Sequence, residues 1–429
     1  MIDTSVIIAL IILTAIVISF TLELLPTFVI ALGGCLAFCL TGILPLSEAF
    51  SGFSNDTVIM VIGVMIIGSC LFETGAAGLL GKTIIKWSKD DEKKILVVLV
   101  AVSGIMSAFV NNSAVVAMFL PMLRSVAVAS KGEIKASNLV MPMSIAAMVG
   151  GSCTIIGSTP QLVALALLES NGLRKFTFFE LGLVGAPILL ITILYFATFG
   201  YKIIKKITKD IQTPEYMLET PDKASDNNAQ TILTPKMMIS IVILLFVVIA
   251  LMFGLWSNGI VAMIGALLCI ATGCINQTKA FKGVNWASVF IIAAALGIGK
   301  GMTESGAASF LAHGITRILG PNPSIPLFIA MVGLLCVFMA NFFSHTSAVA
   351  VLAPVFIACA YEIGIDPVAL IYCVCMFISI GMMTPLGTAS HTMTMSEGYK
   401  FKDYFKVGWP LNLAAYLVII ILCLLFKIK

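Results

Sequence analysis

Four short polar clusters interrupt long apolar stretches of this 429-residue chain. The first is Ser107-Ala108-Phe109-Val110-Asn111-Asn112-Ser113-Ala114, and the second is Asn341-Phe342-Phe343-Ser344-His345-Thr346-Ser347-Ala348. The third runs from Gly150 to Gln161 through Thr154, Gly157, Ser158, Thr159 and Pro160. The fourth runs from Gly381 to His391 through Thr384, Pro385, Gly387, Thr388, Ala389 and Ser390. None of them contains Arg, Lys, Asp or Glu. Gly and Pro at such points break a helix and free its backbone groups. Freed carbonyls and Asn, Ser or Thr oxygens suit a hard monovalent cation. Half-helix N-termini offer N–H groups and partial positive charge to an anion. A multiply charged anion would be neutralised here by co-bound cations and helix dipoles. This chemistry fits a cation-coupled anion carrier better than a proton antiporter, which keeps an intramembrane carboxylate. A lone Ser or Thr at membrane depth mostly packs helices; clusters that are paired, symmetric and beside breaks point to a site.

The elements that must position these clusters are membrane helices. The chain is 60% apolar and 11% charged, with a mean hydropathy of +1.09. A surface so poor in charge excludes a soluble enzyme, a nucleic-acid binder and a disordered scaffold. Spanning runs lie near 5–22, 27–44, 57–73, 138–168, 181–204, 237–255, 258–275, 286–303, 368–397 and 408–427. The first lacks a basic n-region and an obvious cleavage site, so it reads as a retained helix. The polar segment 205–236, near the chain centre, reads as a cytoplasmic linker between a first repeat, 1–204, and a second, 237–429. The eleven Cys are scattered and form no CxxC, so they read as small buried hydrophobes.

The two halves are related by duplication. Ala49–Ile85 aligns without a gap on Ala280–Thr316 at an offset of 231, with twelve of 37 positions identical, including Glu73/Glu304 and Gly75/Gly306. Both Glu residues sit at helix ends and read as structural; Lys300 reads as a snorkelling side chain. The stretches 95–129 and 325–360 are broken in the middle, and the arms of the first, at 16 and 17 residues, reach only roughly 25 Å against a ~30 Å hydrocarbon core. They read as re-entrant helical hairpins, each closed by a proline, Pro121 and Pro354. Tips of this kind persist only inside protein or along a cavity. Five crossings per half invert the second repeat relative to the first. With the N-terminus outside, 19 of the 25 Lys and Arg fall inside and six outside, as the positive-inside rule requires. The fold class is therefore all-α: two inverted-topology repeats, each with five transmembrane helices, a re-entrant hairpin and a broken helix.

With the tips Asn111-Asn112-Ser113-Ala114 and Ser344-His345-Thr346-Ser347 and the breaks Gly157-Ser158-Thr159-Pro160 and Gly387-Thr388-Ala389-Ser390, the chain resembles the divalent anion:sodium symporter family of the ion transporter superfamily. The resemblance covers nearly the whole chain. It implies one sodium site per repeat, a shared carboxylate site, a homodimer in the plasma membrane and no organic cofactor. Carried over, the first sodium is held by Ser107, Asn111, Asn112 and Gly157. The second is held by Ala340, Phe343, His345 and Gly387. Substrate carboxylates meet Asn112, Ser113, Ser158, Thr159, Ser344, Thr346 and Thr388. The chain departs from the family pattern at Ala340, which offers no hydroxyl, at His345 in place of Asn, and at Ala389 in place of Pro.

These readings lead to a secondary transporter of small anions, di- or tricarboxylates, coupled to sodium. Sulfate or another inorganic anion, or exchange without net sodium coupling, is the alternative. A membrane-embedded enzyme would need a nucleophile–base pair or metal set, and the only histidines are His313, His345 and His391, with no HExxH or GxSxG. A channel would show a continuous polar stripe. His391 reads equally as a hydrogen-bonded helix residue or as part of the site.

Overall fold

The computed structural model describes residues 3–22, 24–76, 91–130, 133–211, 234–319 and 324–426. Among the described residues the chain is all-helical, without strands. The first half contains α1 (Thr4–Thr21), α2 (Thr27–Leu40), the short α3 (Leu46–Ala49) and α4 (Asp56–Glu73). The first interrupted stretch follows as α5 (Glu92–Ser107) and α6 (Asn112–Ala129). Asp91 caps α5 by accepting from Lys93 N at 3.0 Å, and Asn111 caps α6 by accepting from Ser113 N at 3.0 Å. The tip Ala108–Asn111 is thus a helix stop followed by a helix start. Both prolines thought to close the hairpins lie inside helices instead: α6 runs on through Pro121, and the matching helix of the second half runs on through Pro354.

The next run is split, as its glycines require. α7 (Ala136–Gly151) and α8 (Thr159–Ser170) flank an unwound stretch that holds Thr154 and Gly157. α7 packs against α5 so closely that a Cβ on Gly150 would collide with the backbone of Gly104. α9 (Gly182–Tyr195) continues through a π turn into α10 (Tyr201–Ile207). Residues 212–233, most of the expected linker, lie outside the described residues.

The second half repeats this plan. α11 (Pro235–Phe253), α12 (Asn258–Ala271), α13 (Gln277–Gly283) and α14 (Trp286–Glu304) lead to an amphipathic helix, α15 (Ala307–Leu319). The hairpin is α16 (Ile325–Phe342) and α17 (His345–Ile363). The broken helix is α18 (Pro367–Ile378), an unwound stretch through Thr388, and the six-residue α19 (Ala389–Thr394). α20 (Phe401–Phe426) closes the fold. The last expected span, 408–427, starts too late because Lys400, Lys402 and Lys406 hide the helix start at Phe401. The sequence reading also missed α3, α13 and α15, whose polar faces dilute their apolar signal.

The packing is crossed between halves. α4 lies on α12, and its counterpart α14 lies on α2. α17 packs on α8, and α6 packs on α19. Each hairpin's outgoing arm therefore meets the half-helix that follows the other half's break. The Cys reading agrees with the structure: all eleven are free, and all but the half-buried Cys39 are buried. Lys300 does not snorkel alone; its Nζ lies 2.9 Å from Glu48 Oε2, because the end of α14 meets the turn at α3.

Candidate functional site

The first hairpin tip and the first break build one oxygen-lined nest. Ser107 Oγ donates to Asn112 Oδ1 at 2.7 Å. Asn112 is buried, and its amide lies beside Gly151, Gly157 O and Ala147 O. With its nitrogen turned inward, the amide donates to Gly157 O at 3.0 Å and to Ala147 O at 3.3 Å. With its oxygen turned inward, it joins those carbonyls as a further acceptor. The nitrogen-inward orientation is the one that satisfies both amide atoms and the surrounding carbonyls. Gly157 makes the approach possible. A Cβ there would lie 2.5 Å from Gly151 O and 2.6 Å from Ser107 O.

The second tip and break repeat the arrangement with altered chemistry. His345 stands where Asn112 stands in the first half. Its Nε2 lies 2.6 Å from where a Cβ on Gly381 or on Gly387 would be, and Ala340 O lies against the same two glycines. The ring nitrogen is buried and has no hydrogen-bond partner. His345 N donates to Gly387 O at 3.1 Å, tying α17 directly to the break. Both unwound stretches are pinned in the same way. Thr154 Oγ1 donates to Ala108 O, and Thr384 Oγ1 donates to Asn341 O.

The expected cation residues thus divide. Ser107, Asn112 and Gly157 come together, and so do Ala340, His345 and Gly387. Asn111 instead caps α6 and lines a cavity of about 230 Å³ between the first tip and α4, together with Ser113, Ile156, Phe72, Gly283 and Asn285. Phe343 and Ser344 line a cavity of about 390 Å³ against the α1–α2 turn. Of the remaining expected anion ligands, Ser158 and Thr159 begin α8, and Thr346 lies in the first turn of α17, the helix packed on α8. Thr388 caps α19 and accepts from His391 N at 3.3 Å. Three N-termini of long half-helices, α6, α8 and α17, together with the Thr388 hydroxyl, bring donors to the region without a formal positive charge. Sequence reading assigned no site role to Gln161, Ser379 or Ser144, which bond across the halves; the repeat alignment pairs Gln161 with His391 but does not name their partners.

On the loop side of α8, Lys175 Nζ bridges Glu169 Oε1 at 2.6 Å and Asp56 Oδ2 at 3.3 Å. Burial alone would lower its pKa, but the two carboxylates outweigh that and hold it above the ordinary lysine value.

The sequence matches the citrate transporter family (CitMHS) over residues 8–375 and 298–429. The chain belongs to the citrate transporter family. This family member is a multi-pass transporter of the plasma membrane, not an enzyme, and lies in the ion transporter superfamily. It is 24% identical to the uncharacterized transporter MJ0672 of Methanocaldococcus jannaschii over 406 residues, covering 94% of this chain and 90% of that protein. It is 34% identical to YfbS, an uncharacterized transporter of Escherichia coli, over 186 residues, but spans only 30% of that protein's length. The sodium-dependent dicarboxylate transporter SdcS of Staphylococcus saprophyticus is 21% identical over 403 residues, with 87% of this chain and 77% of that protein covered. Among solved structures, MtrF of Neisseria gonorrhoeae superposes with a TM-score of 0.60 at 13% identity, covering 91% of this chain and 84% of that one. The Alcanivorax borkumensis YdaH transporter gives 0.51 at 15% identity, with 88% and 87% covered. Both are likenesses of fold.

Proposed function

We propose that this transporter moves di- or tricarboxylates coupled to sodium by alternating access. The observation that carries the reading is the nest around Asn112, where a carboxamide meets the Gly157 and Ala147 carbonyls. Sodium is held there by Ser107, Asn112 and Gly157, and in the second half by Ala340, His345 and Gly387. The cations supply the positive charge that the tips lack. Carboxylates then meet Asn112, Ser113, Ser158, Thr159, Ser344, Thr346 and Thr388. The 21% identity to a sodium-dependent dicarboxylate transporter supports the same substrate class.

The repeats, 1–204 and 237–429 around a cytoplasmic linker, are inverted in the membrane on this reading. Ion pairs support it, because each joins residues assigned to one side. Lys279 pairs with Glu73, and Arg124 Nε with Glu397 Oε1 at 2.7 Å, on the inside. Lys300 with Glu48, His313 with Glu362 at 2.6 Å, and Lys175 with Asp56 and Glu169 lie outside. The cavity at the first tip reaches Phe72, Gly283 and Asn285, which this topology puts toward the cytoplasm. The structure is then the inward-open state, with the Lys175 bridge closing the outer side. A homodimer completes the proposal, to be tested by the mass of the purified protein in detergent. Initial uptake of succinate, citrate and sulfate into proteoliposomes, with and without a sodium gradient, tests substrate and coupling together.

A further inference from the structure

Gln161 lies in the first turn of α8, fully buried, and its Nε2 donates to Ser379 Oγ at 2.7 Å. Ser379 caps the C-terminus of α18, just before the second unwound stretch, and its own hydroxyl donates to Cys375 O at 2.7 Å. With that proton committed, the hydroxyl accepts and the Gln161 amide donates, which fixes the amide's orientation. Its Oε1 is left buried and without a partner.

His391 holds the matching position in the second half, three residues after Thr388 as Gln161 is three after Ser158. Its Nδ1 lies 3.0 Å from Thr388 Oγ1 and 3.4 Å from Ser144 Oγ, in the middle of α7. Its Nε2 is also buried and without a partner. Both residues therefore start from the half-helix after their own break and reach the helix that leads into the other break. The packing of α8 on α18 and of α19 on α7 puts them there. A buried amide and a buried imidazole, each half-satisfied, are costly to keep unless their geometry is used.

We propose that Gln161 and His391 are positioning residues that tie each unwound loop to the opposite repeat, so that occupancy of one cation nest alters the affinity of the other. The bond from Gln161 sets the end of α18, and so the start of the loop that carries Gly381 and Gly387 beside His345. The contact from His391 sets Ser144 on α7, the helix that carries Ala147 and Gly151 beside Asn112. Two nests linked in this way fill together, which is the cooperativity a coupled carrier needs to avoid moving one sodium without its anion.

The inference rests on the sodium-coupled reading, and the test separates the two. Thermal unfolding of the purified full-length protein is followed against sodium, with potassium as the control and no anion present. Sodium dependence of initial succinate or citrate uptake is followed alongside. Gln161→Leu and Ser379→Ala are each expected to bring the Hill coefficient for sodium toward about one and to raise the half-maximal sodium concentration roughly fivefold. The anion KM at saturating sodium stays unchanged. The double variant is no worse than either single one, and Gln161→His, which installs the residue type of the second half, restores cooperativity. Ser379→Ala removes a single oxygen and covers the case in which Gln161→Leu fails to fold. Variants that lose maximal rate with the Hill coefficient intact, or effects that add in the double variant, overturn the inference alone. A wild-type protein that sodium does not stabilise overturns the sodium reading and this inference with it.

Discussion

Thr154 and Thr384 make the same hydrogen bond in the two halves, each from its hydroxyl to a carbonyl at the tip of its own repeat's hairpin, Ala108 O and Asn341 O. Each hydroxyl also accepts from a backbone N–H two residues on, Ile156 at 3.3 Å and Leu386 at 3.4 Å. One side chain thus clamps both the tip and the unwound stretch beside it. Thr→Val at either position keeps the shape and removes both bonds. Each variant is expected to lose about 1 kcal/mol of stability, the scale of side-chain hydrogen bonds inside membranes, seen as a lowered melting temperature in detergent. Thr→Ser should lose much less.

Gly157 and Gly387 occupy the floor of the two nests, where a side chain would strike Ser107 O or Ala340 O and His345. Gly157→Ala is expected to cut uptake by at least tenfold, about 1.4 kcal/mol, and to abolish stabilisation by sodium. The same readouts on Gly172→Ala, at a loop glycine with open space around it, separate filling of the nest from a general loss of folding; its positive φ makes some loss of stability expected there, with sodium stabilisation retained.

The altered second nest carries its own expectation. Asn in place of His345 restores the carboxamide that Asn112 supplies in the first half. His345→Asn should steepen the dependence of initial uptake on sodium while the succinate or citrate KM at saturating sodium changes little. Superimposable sodium curves for the two proteins would place His345 outside the cation site.

Inverted repeats make a sharp demand on accessibility. Ser51 and Lys282 are equivalent positions in the aligned halves, and both are exposed. In a cysteine-free background, cysteine at 51 should react with an impermeant maleimide from outside and cysteine at 282 only from inside. Labelling of both from one side contradicts the inversion.

Much of this architecture was legible before any coordinates. The polar tips and the Gly- and Pro-containing breaks were visible because a helix interrupted at membrane depth leaves backbone groups that only a site or cavity tolerates. The observed breaks fall at Ser152–Ser158 and Ser379–Thr388, inside the runs expected to contain them. Pro121 and Pro354 misled because a proline inside a membrane helix removes one N–H without having to end the helix, and both helices run on through theirs. The amphipathic α15 was hidden because it is too polar to read as a span. Asn111 was expected in the cation nest but caps α6, a difference of one residue at a helix start that no periodicity resolves. The cross-links from Gln161 and His391 were not legible, because which half-helix packs on which is a property of the crossed tertiary fold.

The most direct measurement is initial succinate and citrate uptake into proteoliposomes of the wild-type protein and of Asn112→Ala, with an inward sodium gradient or with potassium in its place. Uptake that requires sodium in the wild type, exceeds that of sulfate, and is lost in Asn112→Ala while the variant remains folded is the expected result. Carboxylate uptake that is the same in sodium and in potassium, or that survives Asn112→Ala with unchanged sodium dependence, contradicts a sodium-coupled carboxylate site built around the first hairpin tip.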